Sequence, residues 1–408
     1  MPIATTPTTK PTLKLSALAY SITESQTMAM GAIAAKLKAS GRDIITLSAG
    51  ELDCDTPEFA KRAGIAAIEH NQTRYTINAG TLELRQEICN RYQRDLGLSY
   101  SPNQVLVTAG AKQAIYNTLL ALCGPGDEVI AIAPYWVSYP EQIAMTGARM
   151  IRVETSVADG FQIALDDIRR AITPRTKVVI LNSPNNPTGA VYPKETIFAL
   201  AELCVERHVW LMSDEIYEKI LFPPARHWSP AQASPAGQAR TVIVNGFSKT
   251  YAMTGWRIGF AIGDERIISA ANKIQSHSTS NASSISQAAA LGALRKDDGS
   301  FFRELIPRLV ARCDSAIAIL KENRMLRISQ PQGAYYLMID VSQAFGKTFR
   351  GQTLNSGYDT SMYLLEAVGV AVTAGEAFGA QEYVRLSFAA DSKLVDEGCR
   401  RIVRALTP

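Results

Sequence analysis

The chain is expected to fold as α/β, with a mostly parallel sheet between helices, followed by a smaller α+β domain. Two observations carry this. Short apolar, β-branched runs alternate with helix-length stretches through the middle of the chain. From about residue 300 that rhythm gives way to one long amphipathic helix, then strands with a shorter helix between them.

The elements follow in order. QVLVTAG (104–110) leads into AKQAIYNTLLALC, which has helical periodicity. DEVIAIAPY (127–135), TKVVILNSP (176–184), VWLMSDE (209–215), TVIVNGF (241–247) and RIGFAIG (257–263) are further apolar runs, each ending in a polar or glycine-containing segment. Stretches such as PKETIFALAELCVERH separate several of them. Strands that are apolar throughout, without alternation, are covered on both faces, as parallel strands are. Beyond residue 300, FFRELIPRLVARCDSAIAILKE reads as the long helix. GAYYLMID and EYVRLSFA read as strands, with SMYLLEAVGV as the helix between them.

Composition narrows the function classes. With 408 residues and 47% hydrophobic content, the chain can bury a large core over two or three domains. No apolar stretch approaches the roughly 18 residues of a membrane helix, so no membrane association is expected. The start, MPIATTPTTKPTLKL, has no apolar signal-peptide core and reads as a flexible Thr/Pro-rich tail. Net charge is +4, with basic residues scattered and not clustered into a face, which argues against a nucleic-acid partner. The six cysteines are widely spaced, with no CxxC pair and no Cys/His cluster. They read as reduced core thiols of a cytoplasmic protein, and no metal is expected.

Ligands on open α/β sheets bind beyond the carboxyl ends of the strands, so the residues there are considered together. After VLVT comes AGAKQ, a small-residue turn entering a helix. After VIAIA comes PYW, and after TKVVIL comes NSPNNPTG. VWLMS is followed by Asp214, Glu215 and Tyr217, and TVIVNGF by Ser248 and Lys249. Singly, each has a plain explanation. TAGAK can be an ordinary strand-to-helix turn, Asn-Pro favours turns, and an Asp-Glu pair is common at strand ends. A lysine after a buried strand is harder to dismiss as a surface residue. Pyridoxal phosphate needs this set at once: a lysine amine for its aldehyde, a carboxylate for its pyridine nitrogen, donors for its 3′-oxygen, a helix start and cations for its phosphate, and an aromatic ring over its face.

NSPNNPTGAVYPKE, SDEIYE and SKTYAMTGWRIG, followed by VRLS, resemble a class I, fold-type I aminotransferase, and are similar to the bacterial aspartate aminotransferases. The likeness runs from about residue 15 to the C-terminus. It implies a seven-stranded, mostly parallel sheet. The boundaries expected are a tail at 1–14, an N-terminal segment at 15–50 joining the small domain, a large cofactor-binding domain at 51–299, and a small domain at 300–408.

The likeness also implies roles. Lys249 forms the Schiff base with pyridoxal phosphate and moves the proton. Asp214 pairs with the ring nitrogen, and Tyr217 and Asn186 hold the 3′-oxygen. Gly110, Ala111, Lys112, Ser248 and Arg257 bind the phosphate, with Tyr75 donated across a homodimer interface. Trp136 stacks on the ring. Arg385 clamps the substrate α-carboxylate, a task suited to a guanidinium fork. Gly50, in LSAGELD, belongs to the segment that closes over substrate, and Lys112 faces a distal carboxylate. The expected substrates are an L-amino acid, aspartate first, and a 2-oxo acid, 2-oxoglutarate first, in a ping-pong reaction. The likeness makes SITESQTMAM (21–30) part of the substrate entrance; it and GELDCDTP depart from the family's usual forms, so an aromatic or prephenate aminotransferase stays open. A pyridoxal-phosphate lyase is the reading from another class.

Overall fold

The computed structural model describes residues 14–407; most of the expected tail lies outside the described residues. Seven strands form the large sheet: β1 Val105–Thr108, β2 Glu128–Ala133, β3 Arg149–Glu154, β4 Thr176–Asn182, β5 Trp210–Asp214, β6 Thr241–Gly246 and β7 Gly259–Ile262. Their spatial order is β1-β7-β6-β5-β4-β2-β3. Only β7 runs against the rest, antiparallel to both β1 and β6. The α/β class and the seven-stranded, mostly parallel sheet are therefore as the sequence and its likeness predict.

The strands alternate side chains between two apolar layers. Val129, Ala131, Val178, Ile180 and Val244 face Ile115, Leu119, Ile143 and Ile267, which belong to helices on one side. Ile130, Ile132, Val179, Leu181 and Leu211 face Ile168, Ile197, Leu200 and Leu203 on the other. β3 is the strand that sequence patterning does not flag. It lies at the sheet edge, only Val153 of its six residues is buried, and Arg149, Arg152 and Glu154 are exposed, so it reads as polar.

A second sheet takes the order β10-β11-β9-β8, from β8 Arg327–Ile328, β9 Tyr336–Asp340, β10 Thr373–Ala374 and β11 Tyr383–Ser387. The helix Ser300–Leu320 packs on the C-terminal helix Ser392–Ala405 beside it. The expected boundary at 300 falls at the start of the first of these helices. The N-terminal segment runs along this second unit. Ile45–Thr46 pairs in parallel with Val370–Ala371, and Met30 and Ala34 of the helix Gln26–Ala39 pack with Leu365 and Ala371. The chain then enters the large unit through Gly50, with Asp53 held by Arg312 at 2.6 Å.

Candidate active site

The topology explains why distant motifs meet. β1, β2, β4, β5 and β6 end at one edge of the large sheet. Because β7 is reversed, the loop from Gly246 to Gly259 stays at that edge and brings Ser248, Lys249 and Arg257 together. A cavity of about 370 Å³ opens there, lined by Gly50, Ala111, Lys112, Trp136, Asn186, Asp214, Tyr217, Ser248, Lys249, Arg257 and Arg385 among others. Gly110 lies just behind this wall, as the N-cap of the helix Ala111–Leu122, with φ 84° and no side-chain cap on the helix's first N–H groups. A Cβ on Gly110 would meet the Arg257 guanidinium at 2.7 Å, so glycine is needed both for its φ and for that approach. Of the residues singled out from the sequence, Tyr75 stands apart. It is 91% exposed and does not line the cavity of its own chain.

Lys249 follows β6. Its Nζ donates to the Gly50 carbonyl at 2.5 Å. Burial first, then the fields of Arg385, Arg257 and Lys112, lowers its pKa to about 8 against the opposing pull of Glu51. Asp214, the last residue of β5, is buried, and its Oδ2 accepts from the hydroxyl of Tyr139 at 2.7 Å. Burial raises its pKa to about 6, while the hydrogen bonds from Tyr139 and the Ile216 N–H pull the other way. No cation pairs with it among the described residues.

Behind the Asp214–Tyr217 turn, two carboxylates anchor the loop. Glu215 accepts from Ser213 and Ser229 at 2.9 and 2.7 Å and contacts His227 at 3.1 Å, and Glu218 pairs with Arg91. These carboxylates, with His227, are the one three-residue group among the described residues with metal-ligand spacing, and both Glu215 oxygens already have hydrogen-bond partners.

Arg385 lies on β11, 2% exposed. Its Nη1 donates to Asn186 Oδ1 at 2.9 Å and its Nη2 to the Ser48 carbonyl at 2.7 Å. Its Nε has no partner, and no carboxylate pairs with it among the described residues. A buried guanidinium without a counter-ion is a receptor for one. Asn186 is placed in turn by its own N–H on Asn182 Oδ1, at 2.8 Å. Four cations, Lys112, Lys249, Arg257 and Arg385, line the cavity against the single lining carboxylate of Asp214. The cavity therefore selects anions.

Sequence reasoning missed two contributors and reached two others only through their segment. Tyr139 holds Asp214. Tyr336 meets Tyr217, with their hydroxyls 2.8 Å apart. Ser25 and Thr27 bring the N-terminal segment to the cavity wall near Lys112. The segment SITESQTMAM did mark the last pair. Tyr336 sat in GAYYLMID, which read as a strand, and Tyr139 lay just beyond PYW with no role assigned to it.

A sequence profile of the family described as "Aminotransferase class I and II" matches residues 42–402. The aspartate/prephenate aminotransferase of Cereibacter sphaeroides is 43% identical over 383 residues, covering 93% of this chain and 95% of its own. The bifunctional aspartate aminotransferase and glutamate/aspartate-prephenate aminotransferase of Petunia hybrida is 42% identical over 97% of this chain and 83% of its own. Among solved structures, the aspartate aminotransferase from Thermus thermophilus with maleate superposes with a TM-score of 0.91 at 40% identity, covering 96% of this chain and all of that one.

Proposed function

Because the chain belongs to the class I and II aminotransferase family, we propose that it is a pyridoxal-phosphate-dependent enzyme that moves the amino group of an L-amino acid, aspartate first, to 2-oxoglutarate. The observation that carries this reading is that Lys249, with its lowered pKa, lines one cavity with the buried carboxylate of Asp214 and the guanidinium of Arg385, with which no carboxylate pairs among the described residues.

The donor set fits the cofactor. The uncapped helix start at Gly110, Ala111 and Lys112, with Ser248 and Arg257, would hold the phosphate. Asp214, which lacks a cation, would hold the ring nitrogen, and Tyr217 and Asn186 the 3′-oxygen. Trp136 would cover the ring. When bound, the cofactor supplies an electrophilic carbon and an electron sink.

The chain's own residues do the rest. Arg385 takes the substrate α-carboxylate, with its fork already aimed by Asn186 and Ser48. Lys249 Nζ removes the proton from the amino acid Cα and holds it. Near neutral pH Lys249 is still mostly charged, but its basic fraction is on the order of a hundredfold larger than that of an ordinary lysine. In the return half, the same Nζ delivers a proton to the carbon that becomes Cα of the product. Gly50 and its segment shield the site from water. Lys112 and Thr27 would meet a distal carboxylate at the cavity mouth.

A second reading, transamination of prephenate, is favoured by the names of several relatives. Prephenate is also a dicarboxylate, so Arg385 and Lys112 would serve it alike.

A homodimer is part of the proposal. Tyr75, Ile77, Leu82, Ile65 and Ile68 are all more than half exposed within residues 65–82, and a second copy covering them would bring Tyr75 to its neighbour's phosphate site. No helix among the described residues is long and apolar enough to cross a membrane. A cytoplasmic location is supported by six cysteines that are all free.

The test is a visible spectrum of the cofactor-loaded protein with single amino acids and no acceptor. Aspartate or glutamate should bleach the visible band, and 2-oxoglutarate should restore it. Bleaching only by phenylalanine or tyrosine would contradict the dicarboxylate reading, and turnover without an acceptor would make the protein a lyase.

A further inference from the structure

We propose that Tyr336 is a positioning residue that links the carboxylate clamp Arg385 to the phenol of Tyr217. One side chain would then set both groups, which flank the reacting centre. The inference rests on the roles proposed above for Tyr217 and Arg385 and deepens them.

Tyr336 opens β9 and is 1% exposed. On the neighbouring strand β11 its partner is Ser387, while Arg385 pairs with Met338. Tyr336 and Arg385 are therefore diagonal neighbours on one face of the sheet. The Arg385 guanidinium carbon sits 4.4 Å from the Tyr336 ring centre and 4.8 Å from that of Phe378, so the cation is held by two aromatic rings. The Tyr336 hydroxyl reaches across to the large unit and meets the Tyr217 hydroxyl at 2.8 Å. It also supports the closing segment, since a Cβ on Gly50 would lie 2.5 Å from it. A purely structural tyrosine would satisfy its hydroxyl with any buried acceptor. Tyr336 instead spends it on a cavity-lining phenol, and lines the cavity itself.

The proton count sets the direction of the bond. Each phenol has one proton. If Tyr217 donates its own to the cofactor oxygen, the bond between the phenols is donated by Tyr336. A phenol that accepts one hydrogen bond becomes a stronger donor in the next. Tyr336 thus sharpens Tyr217, and through its ring keeps Arg385 in line. The other titratable groups around the pair are Tyr335 and Arg385, with Lys249 lining the same cavity, and a Tyr336→Phe change leaves all three in place.

The experiment is a pH titration of the visible absorbance of the cofactor-loaded wild type, Tyr336→Phe, Tyr217→Phe and the double variant. Binding of maleate, a dicarboxylate without an amino group, is measured on wild type, Tyr336→Phe and Tyr336→Leu. Tyr336→Phe should raise the titration midpoint by about half to one pH unit, the size of one lost hydrogen bond. The direction should match that of Tyr217→Phe, and the change should add nothing in the Tyr217→Phe background. Maleate affinity should be kept in Tyr336→Phe and fall about tenfold in Tyr336→Leu, which loses the ring under the guanidinium. A midpoint unmoved by Tyr336→Phe, or moved equally with and without Tyr217, would overturn the link. A wild type that shows no titrating band at all would overturn the cofactor reading, and this inference with it.

Discussion

The hydroxyl of Tyr139 donates to the carboxylate of Asp214 at 2.7 Å, and both side chains are buried. This bond is one of the few forces favouring the charged form of a carboxylate that burial pushes up to about 6. Tyr139→Phe removes it, so the carboxylate protonates at still higher pH. We expect kcat to fall about tenfold, the worth of one hydrogen bond to a charged group. The deficit should be larger at pH 6 than at pH 8, because the lost form is the ionised one. A pH–rate profile that superposes on that of the wild type would contradict this.

Lys249 gives a prediction about stability. Its folded pKa, about 8, lies below the ordinary lysine value of 10.5. The folded chain therefore holds its proton less tightly than the unfolded chain. That penalty is fully present below about pH 8 and fades as pH rises from about 8 to 10.5. Lys249→Met should stabilise the cofactor-free protein at pH 7 by on the order of 1–3 kcal/mol. The gain should shrink across that window, as read by urea unfolding at several pH values. A gain that is the same at pH 7 and 10.5 would show that charge burial is not its source.

Lys112 stands over the Trp136 ring, 5.1 Å from its centre, at the mouth shared with Ser25 and Thr27. Lys112→Met should raise KM for aspartate and 2-oxoglutarate about tenfold or more, the loss of one charge-assisted contact. KM for phenylalanine should move little. Equal effects on both would instead assign Lys112 to the phosphate alone.

Tyr75 allows a complementation test. Tyr75→Ala and Lys249→Met, each impaired alone, should regain activity when refolded together. In a mixed dimer the Tyr75→Ala subunit keeps its lysine and receives an intact Tyr75 from its neighbour. Activity no greater than the sum of the separate samples would contradict shared sites.

Much of this was legible in the sequence because parallel strands are apolar throughout and stop abruptly. The polar residues that end them, Asn186, Asp214, Ser248 and Lys249, stand out for that reason. β3 was hidden because an edge strand keeps Arg149 and Glu154 in water. Tyr139 lies in the short helix Ser138–Thr146, and its tie to Asp214 depends on β2, β4 and β5 lying side by side, which spacing along the chain does not reveal. Tyr336 sits in the apolar run GAYYLMID, where a buried tyrosine looks like packing. Its meaning appears only when the second sheet meets the loop after β5. Tyr75 was legible only through family likeness, since its proposed partner is another copy.

Every role proposed above depends on Lys249 holding the cofactor. This is tested most directly by loading the protein with pyridoxal phosphate, reducing with borohydride, and mapping the modified peptide by mass spectrometry. One phosphopyridoxyl group per chain is expected, on Lys249, and none in Lys249→Met. Modification of another lysine, or none, would contradict it.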